Sequence, residues 1–179
     1  MSVPAASKIR LATVWLDGCS GCHMSLLDTD QRILEIAPLI DLVYGPLVDL
    51  KEFPEHVDVT LVEGAVSSEE DLHKIQEIRA RTRILVSLGD CAVTGNVPAM
   101  RNKFGPQAVL KRAYLENSTL DGQIPREIIP KLLPLSRPVH EVVTVDVFVP
   151  GCPPSADLIF SVLNDLLHGS TPNPAAKFG

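Results

Sequence analysis

The chain has 179 residues, 45% hydrophobic and 21% charged, with a net charge of −6. That length and composition fit a single globular domain, 1–179, and exclude a disordered chain. The acidic balance, with no Lys/Arg cluster, argues against nucleic acid or an anionic membrane as partner, and no stretch approaches the ~18–20 apolar residues of a membrane span.

Met1 to Ser7 is short and rich in small residues, without the charged and apolar regions of a secretion signal or a twin-Arg pair. A cytoplasmic chain is the expectation. Ile9–Leu16 then reads as a buried strand, closed by Asp17-Gly18. Cys19-Ser20-Gly21-Cys22 opens a helical pattern that runs to Ala37 and stops at Pro38. A second strand is predicted at Ile40–Tyr44 and a third at Val57–Val62, ending on Glu63-Gly64. Ser67 with Glu70 has the spacing of a capping box for an amphipathic helix to Arg81. Ile84–Leu88 is a short apolar strand before Gly89-Asp90-Cys91.

Residues 96–141 hold six prolines and read as a long excursion with one or two short helices. Val142–Val149 is the expected last strand. Pro150-Gly151-Cys152-Pro153-Pro154 turns it into a helix, Ser155–Leu167, ended by Gly169 and Pro172. The folded part is placed at 8–170 and a flexible tail at 171–179. Strands alternating with helices imply an α/β fold: a mainly parallel sheet of four or five strands with helices on both faces.

The four cysteines each follow a predicted strand. In an open parallel sheet the loops after the strands emerge at one edge, where such folds bind ligands. Cys19, Cys22, Cys91 and Cys152 are therefore expected to converge. In a reducing compartment four thiols point to a metal site or redox chemistry before disulfides. An iron–sulfur cluster, a structural zinc and a dithiol stay open on spacing alone. Gly18, Gly21, Gly89 and Gly151 flank the cysteines and would let backbone amides approach sulfur, which favours iron–sulfur.

Four motifs together resemble the small subunit of nickel–iron hydrogenases: Gly18-Cys-Ser-Gly-Cys22, Glu63-Gly-Ala-Val66, Gly89-Asp-Cys-Ala-x-x-Gly95 and Pro150-Gly-Cys-Pro-Pro154. The related 20-kDa subunit of respiratory complex I shares much of the pattern. The resemblance runs from Ile9 to His168 and is weakest across 96–141. It implies a flavodoxin-like fold and one [4Fe–4S] cluster held by Cys19, Cys22, Cys91 and Cys152. It implies a large-subunit partner carrying a nickel–iron centre. Ser20 and Gly21 separate the first cysteine pair, as in hydrogenases, whereas the complex I subunit has adjacent cysteines there. With no further cysteine, the chain is most similar to the short small subunit of cytoplasmic, NAD(P)-linked bidirectional hydrogenases. There, diaphorase subunits with iron–sulfur clusters and FMN complete the path to NAD. A complex I-like or F420-linked subunit is the nearest alternative, and a zinc-stabilised interaction module the alternative of another class.

Glu63 is expected near the cluster, either as a neighbour of it or as a satisfied loop carboxylate. Gly21, Gly89 and Gly151 are the other candidate neighbours. Asp17 and Asp90 read as turn formers, His23 as an interface or turn-capping residue, and Trp15 and Met24 as core. His56, His73, His140 and His168 share no metal-like spacing. The C-x2-C loop occupies the place of a phosphate loop after the first strand, so FMN is not expected in this chain.

Overall fold

The computed structural model describes residues 8–172. Five strands form one sheet: β1 (Ile9–Trp15), β2 (Ile40–Tyr44), β3 (Val57–Glu63), β5 (Thr82–Leu88) and β7 (Val147–Val149). Their order is β2-β1-β3-β5-β7 and every pair is parallel. This is the doubly wound flavodoxin-like order, with its switch point between β1 and β3. The central strands are apolar on both faces because both are covered. On one face Leu11, Val59, Leu61, Val86 and Val149 pack with α1 (Gly21–Leu27) and α7 (Ala156–Leu167). On the other, Ala12, Val14, Val62 and Leu85 pack with Ile75 and Ile78 of α3 (Glu69–Arg81).

Register decides where function can sit. Trp15 pairs with Glu63, Glu63 with Leu88, and Leu88 with Val149. Four strands therefore end level, and the four loops that follow leave the sheet side by side.

Several expected boundaries move. The helix anticipated up to Ala37 breaks after Leu27, and only a 3₁₀ turn and the short α2 (Ile33–Ile36) follow. Thr29 Oγ1 donates to Leu26 O at 2.7 Å and Asp30 takes φ 51°, so local side-chain bonding competes with the helix. The capping box is Ser68 with Asp71, not Ser67 with Glu70. Asp71 N–H donates to Ser68 Oγ at 3.1 Å, and Asp71 Oδ2 accepts from Ser68 N–H at 2.9 Å. Ser67 is committed elsewhere. It lies in β4 (Val66–Ser68), and its hydroxyl is 2.6 Å from that of Ser136 in β6 (Leu132–Arg137).

The antiparallel pair β4–β6 was not legible in the 96–141 excursion. The excursion follows α4 (Asp90–Thr94) and holds α5 (Asn96–Ala99), a 3₁₀ turn, α6 (Pro106–Lys111) and a π-helical turn to Glu116. The Arg101 guanidinium ties it down, donating to Leu133 O and Ser67 O at 3.0 and 2.9 Å. The last strand is only Val147–Val149, because Val139, Val142, Val143 and Val145 fill the core on the α3 side instead. Asp146 starts the pairing: its N–H donates to Leu85 O and its Oδ2 accepts from Leu85 N–H at 2.7 Å. From 173 onward the expected tail lies outside the described residues.

Candidate metal centre

The four level loops enclose a cavity of about 110 Å³ lined by Cys19, Cys22, Cys91 and Cys152 together with Glu63, Gly64, Asp90 and Gly151. Cys19 and Cys22 follow β1, Glu63 ends β3, Cys91 follows β5 and Cys152 follows β7. All four cysteines are free thiols; Cys19 and Cys152 are exposed, Cys22 and Cys91 half-buried. Among the described residues, no three of His, Cys, Asp or Glu close on one point as ligands of a single ion. The thiols are spread around the cavity wall.

The glycines sit where the loops pack closely, against sulfur at Gly89 and Gly21 and against Pro154 at Gly151. Gly89 has φ 81° and ψ 161°, a conformation essentially restricted to glycine. A Cβ there would lie 2.2 Å from Cys22 Sγ, and one at Gly21 would lie 3.2 Å from Cys19 Sγ. Gly151, at φ 137°, would press its Cβ onto Pro154 Cα at 2.6 Å.

Hydrogen bonds lock the loops to each other. Asp90 is a cross-loop clamp as well as a turn residue: its Oδ1 accepts from Gly151 N–H at 2.7 Å, while its N–H donates to Gly151 O at 2.8 Å. The Cys91 and Cys152 loops are thereby held as one piece. Ser25 of α1, buried, donates to Pro154 O at 2.6 Å and joins the Cys22 helix to the Cys152 loop. Asp17 acts through its backbone, exchanging hydrogen bonds with Ala65 at 3.1 and 2.7 Å. Neither Ser25 nor the reach of Asp90 was signalled by sequence spacing, because each bond spans many residues.

Glu63 is only 2% exposed. Its Oε2 accepts from His23 N–H at 2.9 Å, and Oε1 is buried without a partner. His23 Nδ1 lies 3.1 Å from the same Oε2, an ion pair when the ring is protonated, though off the line of a hydrogen bond. The Glu63 carboxylate thus caps the start of α1 by accepting from the His23 N–H. Trp15 and Met24 are not core, being 46% and 57% exposed, and Trp15 Nε1 donates to Gly18 O. They rim an apolar groove beside the cysteine loops, between α1 and the β1–β2 edge.

Electrostatics test what the thiols can hold. Burial first, then the Glu63 carboxylate, pushes the Cys22 thiol well above its ordinary range. Burial, then repulsion from Cys152 and Cys19, pushes Cys91 up as well. Four thiolates in this cavity would repel one another and Glu63, so they need a cationic group among them. Soft sulfur donors, amide-lined walls and a cavity larger than one ion fit an iron–sulfur cluster.

Residues 19–166 match the family model described as NADH ubiquinone oxidoreductase, 20 kDa subunit. The chain belongs to this family. It is 43% identical over 167 residues to the delta subunit of the NAD-reducing hydrogenase HoxS of Cupriavidus necator, covering 90% of this chain and 80% of that one. It is 39% identical over 171 residues to a subunit of the vhu F420-non-reducing hydrogenase of Methanocaldococcus jannaschii, covering 94% of this chain but only 59% of that protein's length. Among solved structures, one chain of an NAD+-reducing [NiFe]-hydrogenase in the H2-reduced state superposes with a TM-score of 0.90 at 38% identity, covering 97% of this chain and all of that one. A [NiFeSe]-hydrogenase chain of Dm. baculatum, at 21% identity and a TM-score of 0.59, shares the fold. The expected α/β architecture and the resemblance to hydrogenase small subunits both stand.

Proposed function

We propose that Cys19, Cys22, Cys91 and Cys152 hold one [4Fe–4S] cluster. In this reading the chain is the electron-transfer small subunit of a soluble NAD(P)-linked nickel–iron hydrogenase. The observation that carries this is the level ending of β1, β3, β5 and β7, which gathers the four cysteines, on three of the loops that follow, and Glu63 around one cavity. The cluster, when bound, supplies a reversible one-electron step. The chain's own residues do the rest. The glycines admit backbone close to sulfur, the Asp90 clamp and Ser25 fix the loops, and buried Glu63 adds a negative charge to the wall.

The overall reaction is H2 + NAD+ to NADH + H+, run in either direction in the cytoplasm. Bond breaking belongs to a large subunit with a nickel–iron centre, and nicotinamide chemistry to diaphorase subunits carrying iron–sulfur clusters and FMN. The exposed edge at Cys19 and Cys152 suits close approach by a partner centre. No helix among the described residues is long and apolar enough to cross a membrane. FMN is not proposed for this chain, because the turn after β1 carries Cys19 and Cys22.

A second reading, electron transfer to an acceptor other than NAD(P), draws on the likeness to the F420-non-reducing hydrogenases. Cys91→Ser in the assembled complex separates the possibilities. Loss of H2-dependent NAD(P) reduction is expected. Unchanged activity would remove Cys91 as a ligand, and a wild-type complex that reduces another carrier but not NAD(P) would favour the second reading. Zinc in place of iron in the anaerobic wild-type protein would overturn the electron-transfer role.

A further inference from the structure

Between Cys91 and the excursion the chain makes a tight break. Helix α4 ends on Gly95, at φ 85° and ψ −24°, and Asn96 follows with φ 30°, in the left-handed region for a second residue running. Non-glycine residues seldom take such a conformation, Asn being among those that tolerate it. What the break achieves is a side-chain donor aimed at a cysteine sulfur. Asn96 Nδ2 donates to Cys152 Sγ at 3.5 Å. Val97 comes next. Pro98 follows, and Gly95 is held between Ala99 and Pro138, where a Cβ would lie 3.0 and 3.7 Å from side-chain atoms. The turn is therefore anchored independently of the bond it makes to sulfur.

We propose that the Gly95-Asn96 turn sets the reduction potential of the cluster through an N–H···S hydrogen bond from the Asn96 side chain to Cys152. The proposal rests on the cluster reading above. A donor to a ligating sulfur stabilises the more negative, reduced state of a cluster more than the oxidised state, so this bond raises the potential. Glu63 acts in the opposite sense from the other wall of the cavity, because a buried carboxylate disfavours added negative charge. The two walls thus bias the same electron in opposite directions. Asn96 is a positioning and tuning residue and not a ligand, since the four cysteines already supply the sulfurs.

The left-handed backbone at Asn96 provides its own control. Asn96→Gly keeps the conformation accessible and deletes only the donor. Asn96→Asp keeps the shape and replaces the amide donor by a carboxylate. The test is an EPR-monitored redox titration of the anaerobically purified full-length chain, with iron and sulfide measured on each sample. Wild type and both variants are expected to carry equal iron. The midpoint potential is expected to fall in Asn96→Gly and to fall further in Asn96→Asp. In wild-type protein with ¹⁵N-labelled asparagine, pulsed EPR of the reduced cluster should detect a nitrogen coupling that Asn96→Gly lacks. Equal potentials at full iron content would overturn the proposal. So would loss of the cluster in Asn96→Gly alone, which would make the role structural. Absence of iron and sulfide from the wild-type chain would instead defeat the cluster reading on which the proposal stands.

Discussion

Replacing Gly89 by Ala should empty the cysteine cavity while leaving the fold in place. The added Cβ would sit 2.2 Å from Cys22 Sγ and 3.4 Å from Gly151 O. Cys22 cannot yield easily, because it packs against the core under α1 and α7. Two costs follow. Holding a non-glycine residue at φ 81°, ψ 161° costs about 1–3 kcal/mol. Overpacking against the sulfur costs a further ~1–3 kcal/mol. A mid-range total of about 4 kcal/mol is below the roughly 5–15 kcal/mol stability of a domain, so the chain still folds. For a chain of this size it lowers Tm by roughly 8–16 °C. The assay pairs thermal unfolding with iron and sulfide content after anaerobic purification. Native-like circular dichroism, a reduced Tm and little or no iron are expected. Gly89→Ala protein with wild-type iron and wild-type Tm would refute the steric reasoning at this loop.

Other perturbations follow from the same contacts. Asp90→Ala removes the acceptor of Gly151 N–H and should cost about 1–3 kcal/mol while lowering iron retention, whereas Asp90→Asn keeps an acceptor oxygen and should retain more; iron content and denaturant titration check both. Ser68→Ala should cost about 1 kcal/mol through loss of the α3 cap without affecting iron, as denaturant titration will show, while Ser67→Ala should leave the cap intact. Metal-free protein should lose stability as pH rises past the ordinary thiol range. Cys22 and Cys91 have raised values in the folded state, so their stabilising effect is complete below the unfolded thiol's value near ~8.5 and declines above it. A Tm measured across neutral to alkaline pH should fall in wild type and fall less in Cys22→Ser.

The fold and the cysteine set were legible because they depend on local patterns. Runs of β-branched residues mark β1, β3 and β5, and each cysteine follows the end of a strand. The parallel topology then supplies the convergence without any knowledge of side-chain contacts. What escaped reading is held by contacts distant in sequence. Val66–Ser68 becomes a strand only because Leu132–Arg137 pairs with it and Ser136 meets Ser67. Val142–Val145 has the composition of a strand, but its valines are needed as packing on the α3 side. The helix after Cys22 has helical periodicity, yet Asp28-Thr29-Asp30 offers hydrogen bonds that end it. At the site, the ligand candidates were identifiable by type, whereas Asp90, Ser25 and Asn96 act across loops that only the fold brings together. Trp15 and Met24 misled for a simpler reason: large apolar residues are usually buried, and these two rim an open groove.

The central claim is that four cysteines on three level loops hold one iron–sulfur cluster. Metal and sulfide analysis of the anaerobically purified chain, followed by EPR after reduction, tests it most directly. The expected result is iron and acid-labile sulfide in equal amounts, amounting to one [4Fe–4S] cluster per chain, with an iron–sulfur EPR signal that vanishes in Cys91→Ser. A colourless protein with stoichiometric zinc and no sulfide would contradict it.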